Sequence, residues 1–161
     1  SNILVDNKKY IGIAPGAGEE NKVWPIKNYL EICNFIESKN YKIVFFIGPD
    51  EIHLKDKLKK LYPNSIFIED IINEFSNIEV IMTTTKFLSL AISNDSGVSH
   101  MLSTGYCPLI KLFGPKDAVK FTPDITNLYS ISSNEYNSSD INKIPPSRVI
   151  KEIKKLLEIR N

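Results

Sequence analysis

Six short stretches of the chain are mostly apolar: residues 10–14, 42–47, 66–68, 88–93, 109–113 and 128–132. Runs of this length without polar alternation read as strands covered on both faces, the pattern of a parallel sheet. Between them the apolar positions recur every three to four residues. Ile26, Leu30, Cys33 and Ile36 mark one face of a helix opened by Trp24-Pro25 and ending near residues 38–40. A proline is acceptable in a helix's first turn, where its missing N–H has no partner to lose. A Lys-rich, exposed helix over residues 51–61 ends at Pro63. Two helical pieces follow at 71–75 and 78–85, a short one at 98–104, and a last one from Pro145-Pro146 to about residue 158. Residues 134–142 form a polar loop. Strands and helices alternate at βαβ intervals, so the expected class is α/β, a parallel, doubly wound sandwich of at least five strands.

The length of 161 residues fits one domain over residues 1–161, without internal repeats or low-complexity segments. A hydrophobic share of 42% and a charged share of 24% are ordinary for a globular domain. The formal net charge of +1 argues against a general nucleic-acid surface, which needs a basic excess. Cys33 and Cys107 have no metal-ligand spacing and read as reduced packing residues of a cytoplasmic protein. No apolar run is long enough to span a bilayer, and nothing resembles a signal peptide. Ser1-Asn2 reads as the remnant of a tag.

Candidate chemistry gathers in loops that follow strands, on the edge where open α/β sheets bind ligands. Asn94-Asp95-Ser96-Gly97-Val98-Ser99-His100 joins a strand to a helix start. Its turn offers backbone N–H groups to an anion, and Asp95 adds an acceptor for hydroxyls. That combination suits a sugar phosphate or a nucleotide sugar, although Asp95 or Ser96 serves equally as a helix cap. His100 follows on the helix's first turn, placed either to touch phosphate and orient Asp95 or to be buried against backbone. The loop from Pro15 to Pro25 is rich in small residues and carries Lys22, a cation able to neutralise a diphosphate without a metal. It lacks the spacing of a P-loop. Gly48-Pro49-Asp50-Glu51 puts carboxylates after the second strand, where ribose hydroxyls are often held, or where a helix start is capped. Phe113-Gly114-Pro115-Lys116 is a further Gly turn with a lysine. His53 lies on the Lys-rich helix and is read as solvated. No His, Cys or Asp cluster has metal spacing.

Four of these blocks resemble a known family. Pro15-Gly16-Ala17, then Lys22-Val23-Trp24-Pro25, then Asn94-Asp95-Ser96-Gly97-Val98-Ser99-His100, then Leu112-Phe113-Gly114-Pro115 follow the order and spacing of glycosyltransferase family nine, the heptosyltransferases. The resemblance runs from about Tyr10 to about Pro123 and covers the carboxyl-terminal half of such an enzyme. It implies a GT-B fold, two Rossmann-like domains facing each other across a cleft, of which this half binds the nucleotide-sugar donor. In the best-known members the donor is ADP-heptose and the acceptor a growing lipopolysaccharide core. Transfer is metal-independent, needs no cofactor and inverts the anomeric centre. The resemblance assigns Lys22 to the diphosphate, with the Ala17 and Gly18 backbone along it. Glu51 falls to ribose, Asp95 to the donor sugar, and Ser96 and Gly97 to phosphate. His100 and Lys116 are added to the donor-binding candidates from their own places beside these blocks, Lys116 either adding charge to the phosphate seat or signalling another donor.

Family members often carry Ser or Thr where Ala17 or Gly18 stands, and Thr where Lys116 stands. The acidic general base of the family belongs to the amino-terminal domain and has no counterpart here, so the expectation is that the isolated chain does not turn over. The full enzyme is expected to be cytoplasmic, associating peripherally with the inner face of the membrane, and to meet its glycan acceptor through that other domain. Two alternatives are a half-domain of a nucleotide-sugar epimerase, against which Lys-x-Trp-Pro argues, and a non-catalytic nucleotide-binding module. Base, sugar and acceptor stay open.

Overall fold

The structure, a computed structural model, describes residues 9–71, 78–114 and 127–159. Six strands form one sheet: β1 (Tyr10–Ala14), β2 (Lys42–Phe45), β3 (Ile66–Phe67), β4 (Leu88–Asn94), β5 (Leu109–Phe113) and β6 (Leu128–Ser132). Every pairing is parallel, and the order across the sheet is β3-β2-β1-β4-β5-β6. The order reverses between β1 and β4, the topological switch point of a doubly wound fold.

Five helices accompany the strands among the described residues: α1 (Ile26–Ser38), α2 (Ile52–Leu61), α3 (Ile78–Thr85), α4 (Gly97–Ser103) and α5 (Pro146–Leu156). Alternate strand residues feed two cores. Ile11, Ile13, Leu90, Ile92, Ile110 and Leu112 pack under α1, α5 and Leu58 of α2. Ala14, Val44, Phe46, Ala91 and Leu109 pack against Ile81 of α3 and Leu102 of α4. Both faces of the sheet are therefore covered, which is why its strands tolerate no polar alternation. Cys33 and Cys107 are free and buried, and burial pushes the Cys107 thiol up to about 12.

One reading of a helix needs correction. The buried stripe of α1 is Tyr29, Ile32, Cys33 and Ile36, with Asn28 beside it, whereas Ile26 and Leu30 are only partly buried. The stripe is rotated because Tyr29 is recruited inward by a hydrogen bond rather than by hydrophobicity alone. The predicted helical piece at 71–75 falls, beyond Ile71, outside the described residues. Strand boundaries agree with expectation except that β2 and β3 end earlier, at Phe45 and Phe67, and β4 runs one residue further, to Asn94.

Candidate functional site

The loops after β1 and β4 meet at the switch point, and Asn94 fastens them together. This last residue of β4 is fully buried. Its Oδ1 accepts from the Tyr29 hydroxyl at 2.7 Å and from the Trp24 backbone N–H at 3.3 Å. Its Nδ2 donates to the Pro15 carbonyl at 2.7 Å and to the Gly16 carbonyl at 3.3 Å. The Trp24 indole, also fully buried, donates to the Ile144 carbonyl at 2.9 Å and meets the Tyr29 ring edge-on. Trp24 is thus an anchor: it closes the far end of the loop that carries Lys22.

Strand alternation turns the next residue, Asp95, away from Asn94. Its Oδ1 lies 3.2 Å from Lys111 Nζ and its Oδ2 lies 3.9 Å from Lys22 Nζ. Lys22 also pairs with Glu19 at 3.3 Å. Asp95 is not the helix cap. Ser96 is: its hydroxyl accepts from the Ser99 N–H at 3.2 Å, while the Ser99 hydroxyl accepts from the Ser96 N–H at 2.9 Å. The Ser96 O–H proton stays available to a ligand, but its backbone N–H does not.

Above these groups lies a cavity of about 270 Å³ lined by Gly18, Glu19, Lys22, Asp95, Ser96, Gly97 and His100. His100 is exposed at its wall rather than buried against backbone. A second cavity of about 210 Å³ shares Gly18, Ser96 and Gly97 with the first and extends to Ala17, Phe46, Pro49, Glu51, Val98 and Met101. The polar first cavity and the more apolar second one form a continuous trough across the switch point, with lysine at one end and a carboxylate at the other. A Cβ at Gly18 or Gly97 would meet no atom within 4 Å, so the trough is bounded there by bare backbone.

Glu51 turns its carboxylate back over the loop after β1. Its Oε2 accepts from the Gly48 N–H at 3.1 Å, and a Cβ at Gly16 would overlap the carboxyl group. Gly16 is therefore small for the sake of Glu51, not of a ligand. Desolvation in this half-buried position raises the Glu51 pKa, opposed by the Gly48 hydrogen bond. His53 is exposed, as its place on α2 predicts. Gly114 packs against the Ile141 backbone and accepts from the Ser133 hydroxyl at 3.0 Å, so its smallness has a packing cause.

Of the predicted site residues, Ala17, Gly18, Lys22, Glu51, Asp95, Ser96, Gly97 and His100 are brought together around this trough. Lys116 lies outside the described residues. Sequence reasoning gave no role to Asn94 and passed over Lys111. The available signal for Lys111 was a lysine at the centre of an otherwise apolar strand. Among the described residues no group of three or more His, Cys, Asp or Glu side chains could hold a metal ion, and no helix is long and apolar enough to cross a membrane.

The sequence model of glycosyltransferase family 9 (heptosyltransferase) matches residues 2–148. The chain is 29% identical to lipopolysaccharide heptosyltransferase 1 of Campylobacter coli over 135 residues, which are 82% of this chain and 37% of that relative. It is 24% identical to lipopolysaccharide heptosyltransferase 2 of Salmonella typhimurium, covering 96% of this chain and 48% of the relative. These relatives do not favour the epimerase alternative. The chain therefore spans less than half the length of either. Among solved structures, E. coli heptosyltransferase WaaC with ADP superposes with a TM-score of 0.79 at 17% identity, over 96% of this chain and 46% of WaaC. A family 9 glycosyl transferase from Veillonella parvula superposes with a TM-score of 0.80 at 22% identity, over 98% of this chain and 48% of that one. At these identities the superpositions establish a shared fold.

Proposed function

The chain belongs to glycosyltransferase family 9, and from that premise we propose that it is the donor-binding domain of a heptosyltransferase-like enzyme. In this reading it holds a nucleotide diphosphate sugar, with ADP-heptose the first candidate, for transfer to a lipopolysaccharide-type acceptor. The observation that carries the reading is the trough at the switch point, which runs from Glu51 past Gly18 and Gly97 to the paired Lys22 and Asp95. Each part of such a donor has a chemical counterpart along it. The nucleoside fits the more apolar half among Phe46, Val98 and Met101, with the Glu51 carboxylate at the ribose hydroxyls. The diphosphate lies over the Ala17 and Gly18 backbone and the Ser96 hydroxyl, and meets the Lys22 ammonium. Asp95 accepts from sugar hydroxyls, and His100 stands at the phosphate end. Lys116 is proposed as a further cation for the phosphates on its place in the sequence after β5 alone.

The chemistry asked of this half is binding and leaving-group stabilisation. As the glycosidic bond to phosphate breaks, negative charge grows on the diphosphate, and fixed donors facing it lower the barrier without rearranging. No metal or cofactor is needed in this scheme. The acidic base and the acceptor site belong to a facing domain, and the acceptor's lipid anchorage would bring the whole enzyme to the cytoplasmic membrane face.

A thermal-shift and calorimetry panel of ADP, UDP, GDP and CMP tests the reading. ADP at a hundred times its dissociation constant should stabilise the fold by about 2.7 kcal/mol. The shift should survive chelator. No shift with any nucleotide would overturn the proposal, and UDP selectivity would move it to another donor class.

A further inference from the structure

Lys111 is a fully buried lysine in the middle of β5. Its register partner on β4 is Ser93, which is also fully buried and whose hydroxyl has no hydrogen-bond partner among the described residues. The ammonium lies 5.3 Å from the centre of the Phe113 ring and 3.2 Å from Asp95 Oδ1. The approach to Asp95 is an ion pair, not a well-directed hydrogen bond. A buried ammonium is costly unless a counter-charge offsets it, and Asp95 is the carboxylate that does so. Asp95 is thus held between two lysines. Lys111 approaches one oxygen from inside the fold, and Lys22 faces the other from the cleft at 3.9 Å.

We propose that Lys111 is a positioning residue of the donor site, whose buried ammonium engages Asp95 and thereby weakens the hold of Asp95 on Lys22, so that Lys22 can turn toward a diphosphate. The proposal rests on the reading of Lys22 given above. Without Lys111, Asp95 carries an uncompensated charge beside Lys22, and the two close into a tight pair. A diphosphate then has to compete with Asp95 for the same ammonium. Glu19 already faces Lys22, but its side chain is 61% exposed and its hold is weakened by solvent.

The test compares the unaltered chain, Lys111→Met, and Lys111→Met combined with Asp95→Asn, using calorimetry with ADP and with inorganic pyrophosphate. Methionine nearly conserves volume, and Asp95 retains access to solvent, so Lys111→Met is expected to fold. Its affinity for both probes should fall about tenfold, the worth of a charge-assisted contact. The double variant removes the competing carboxylate and should recover most of that loss. A crystal structure of Lys111→Met should show Lys22 Nζ drawn within hydrogen-bond distance of Asp95, a readout that does not depend on which ligand binds. If Lys111→Met does not fold, Lys111→Gln takes its place with the same expected order, because its amide can approach Asp95 without the charge. An unchanged affinity in the single variant overturns the proposal, as does a double variant no better than the single. So does a Lys22–Asp95 distance unchanged in the crystal. Failure of the unaltered chain to bind either probe counts against the donor-domain reading, and the crystal distance then decides the role of Lys111 by itself.

Discussion

Trp24 and Asn94, 70 residues apart in the chain, share a buried hydrogen bond of 3.3 Å from the Trp24 backbone N–H to the Asn94 side-chain oxygen. With the Tyr29 hydroxyl on the same oxygen and two loop carbonyls on the amide, one side chain sets where the loop after β1 stands relative to the loop after β4. The distance between Lys22 and Asp95 follows from that.

Asn94→Ala should therefore damage both stability and binding. It leaves the Tyr29 hydroxyl and the Trp24 N–H buried without an acceptor, and unsatisfied buried groups cost about 1–3 kcal/mol each. A loss of about 2–4 kcal/mol is expected in urea denaturation. ADP affinity should fall as well, though Asn94 is not among the residues lining either cavity of the trough. Asn94→Asp should be no milder, because it sets a carboxylate against the Pro15 and Gly16 carbonyls. A variant of wild-type stability would mean that the loop is held elsewhere.

Gly97→Ala should separate the two properties in the opposite sense. Gly97 begins α4, none of the described glycines has a positive φ, and a Cβ there meets no atom within 4 Å. Alanine should stabilise the fold by about 0.4–1 kcal/mol by restricting the unfolded chain. The methyl group projects into the trough that Gly97 lines, so ADP should bind several-fold more weakly. A raised melting temperature with undiminished affinity would place the ligand elsewhere.

Much of this was legible in the sequence, for identifiable reasons. The mostly apolar runs marked all six strands because a parallel sheet covered on both faces has no polar face to alternate with. The small-residue loops and their charges gave the trough because ligand sites of open sheets lie beyond strand ends. What stayed hidden depended on side-chain pairing across long separations. Asn94 is an ordinary polar residue until Tyr29 and Trp24 are seen to converge on it. Its neighbour Asp95 acquires a different role only because alternation turns it to the other face. Tyr29 could not be placed on the buried stripe of α1, since its partner lies 65 residues away. Lys111 was absorbed into an apolar strand because β5 is hydrophobic on both sides of it, and the carboxylate that compensates it sits on another strand's loop.

Glu51 should make nucleoside binding sensitive to mild acid. Desolvation raises its pKa in the folded protein, so it takes up a proton on acidification before an ordinary glutamate does. The sign for stability is that of a raised acid: the contribution is fully present below the unfolded value and is lost as pH rises through the folded one. For binding the sign is opposite, because the ionised carboxylate makes the stronger, charge-assisted bonds to ribose hydroxyls. The affinity advantage of ADP over 2′,3′-dideoxy-ADP should shrink between neutral and mildly acidic pH. Glu51→Gln should show a smaller advantage that does not change over that interval. An advantage independent of pH in the unaltered chain would remove Glu51 from the ribose.

Lys22→Ala tests the other end of the trough. In a metal-free site the diphosphate charge must be met by protein groups, and Lys22 supplies an ammonium at the cavity wall. Its present ion pairs, 3.3 Å to Glu19 and 3.9 Å to Asp95, are long or solvent-exposed and are worth at most about 1 kcal/mol to stability. Asp95 keeps Lys111 when Lys22 is removed. The variant should therefore unfold close to the wild-type midpoint. Against ADP, however, it forfeits a charge-assisted contact of about 1.5–3 kcal/mol, a tenfold loss or more. AMP, with one phosphate fewer, should suffer less. Lys22→Arg should not fully rescue, because a planar fork reaches phosphate with a different geometry from a compact ammonium on a flexible stem. Calorimetry with both nucleotides, with magnesium and with chelator, reads all of this. Equal losses for ADP and AMP would move Lys22 away from the diphosphate, and an affinity that follows the divalent metal and ignores Lys22 would refute the metal-free seat.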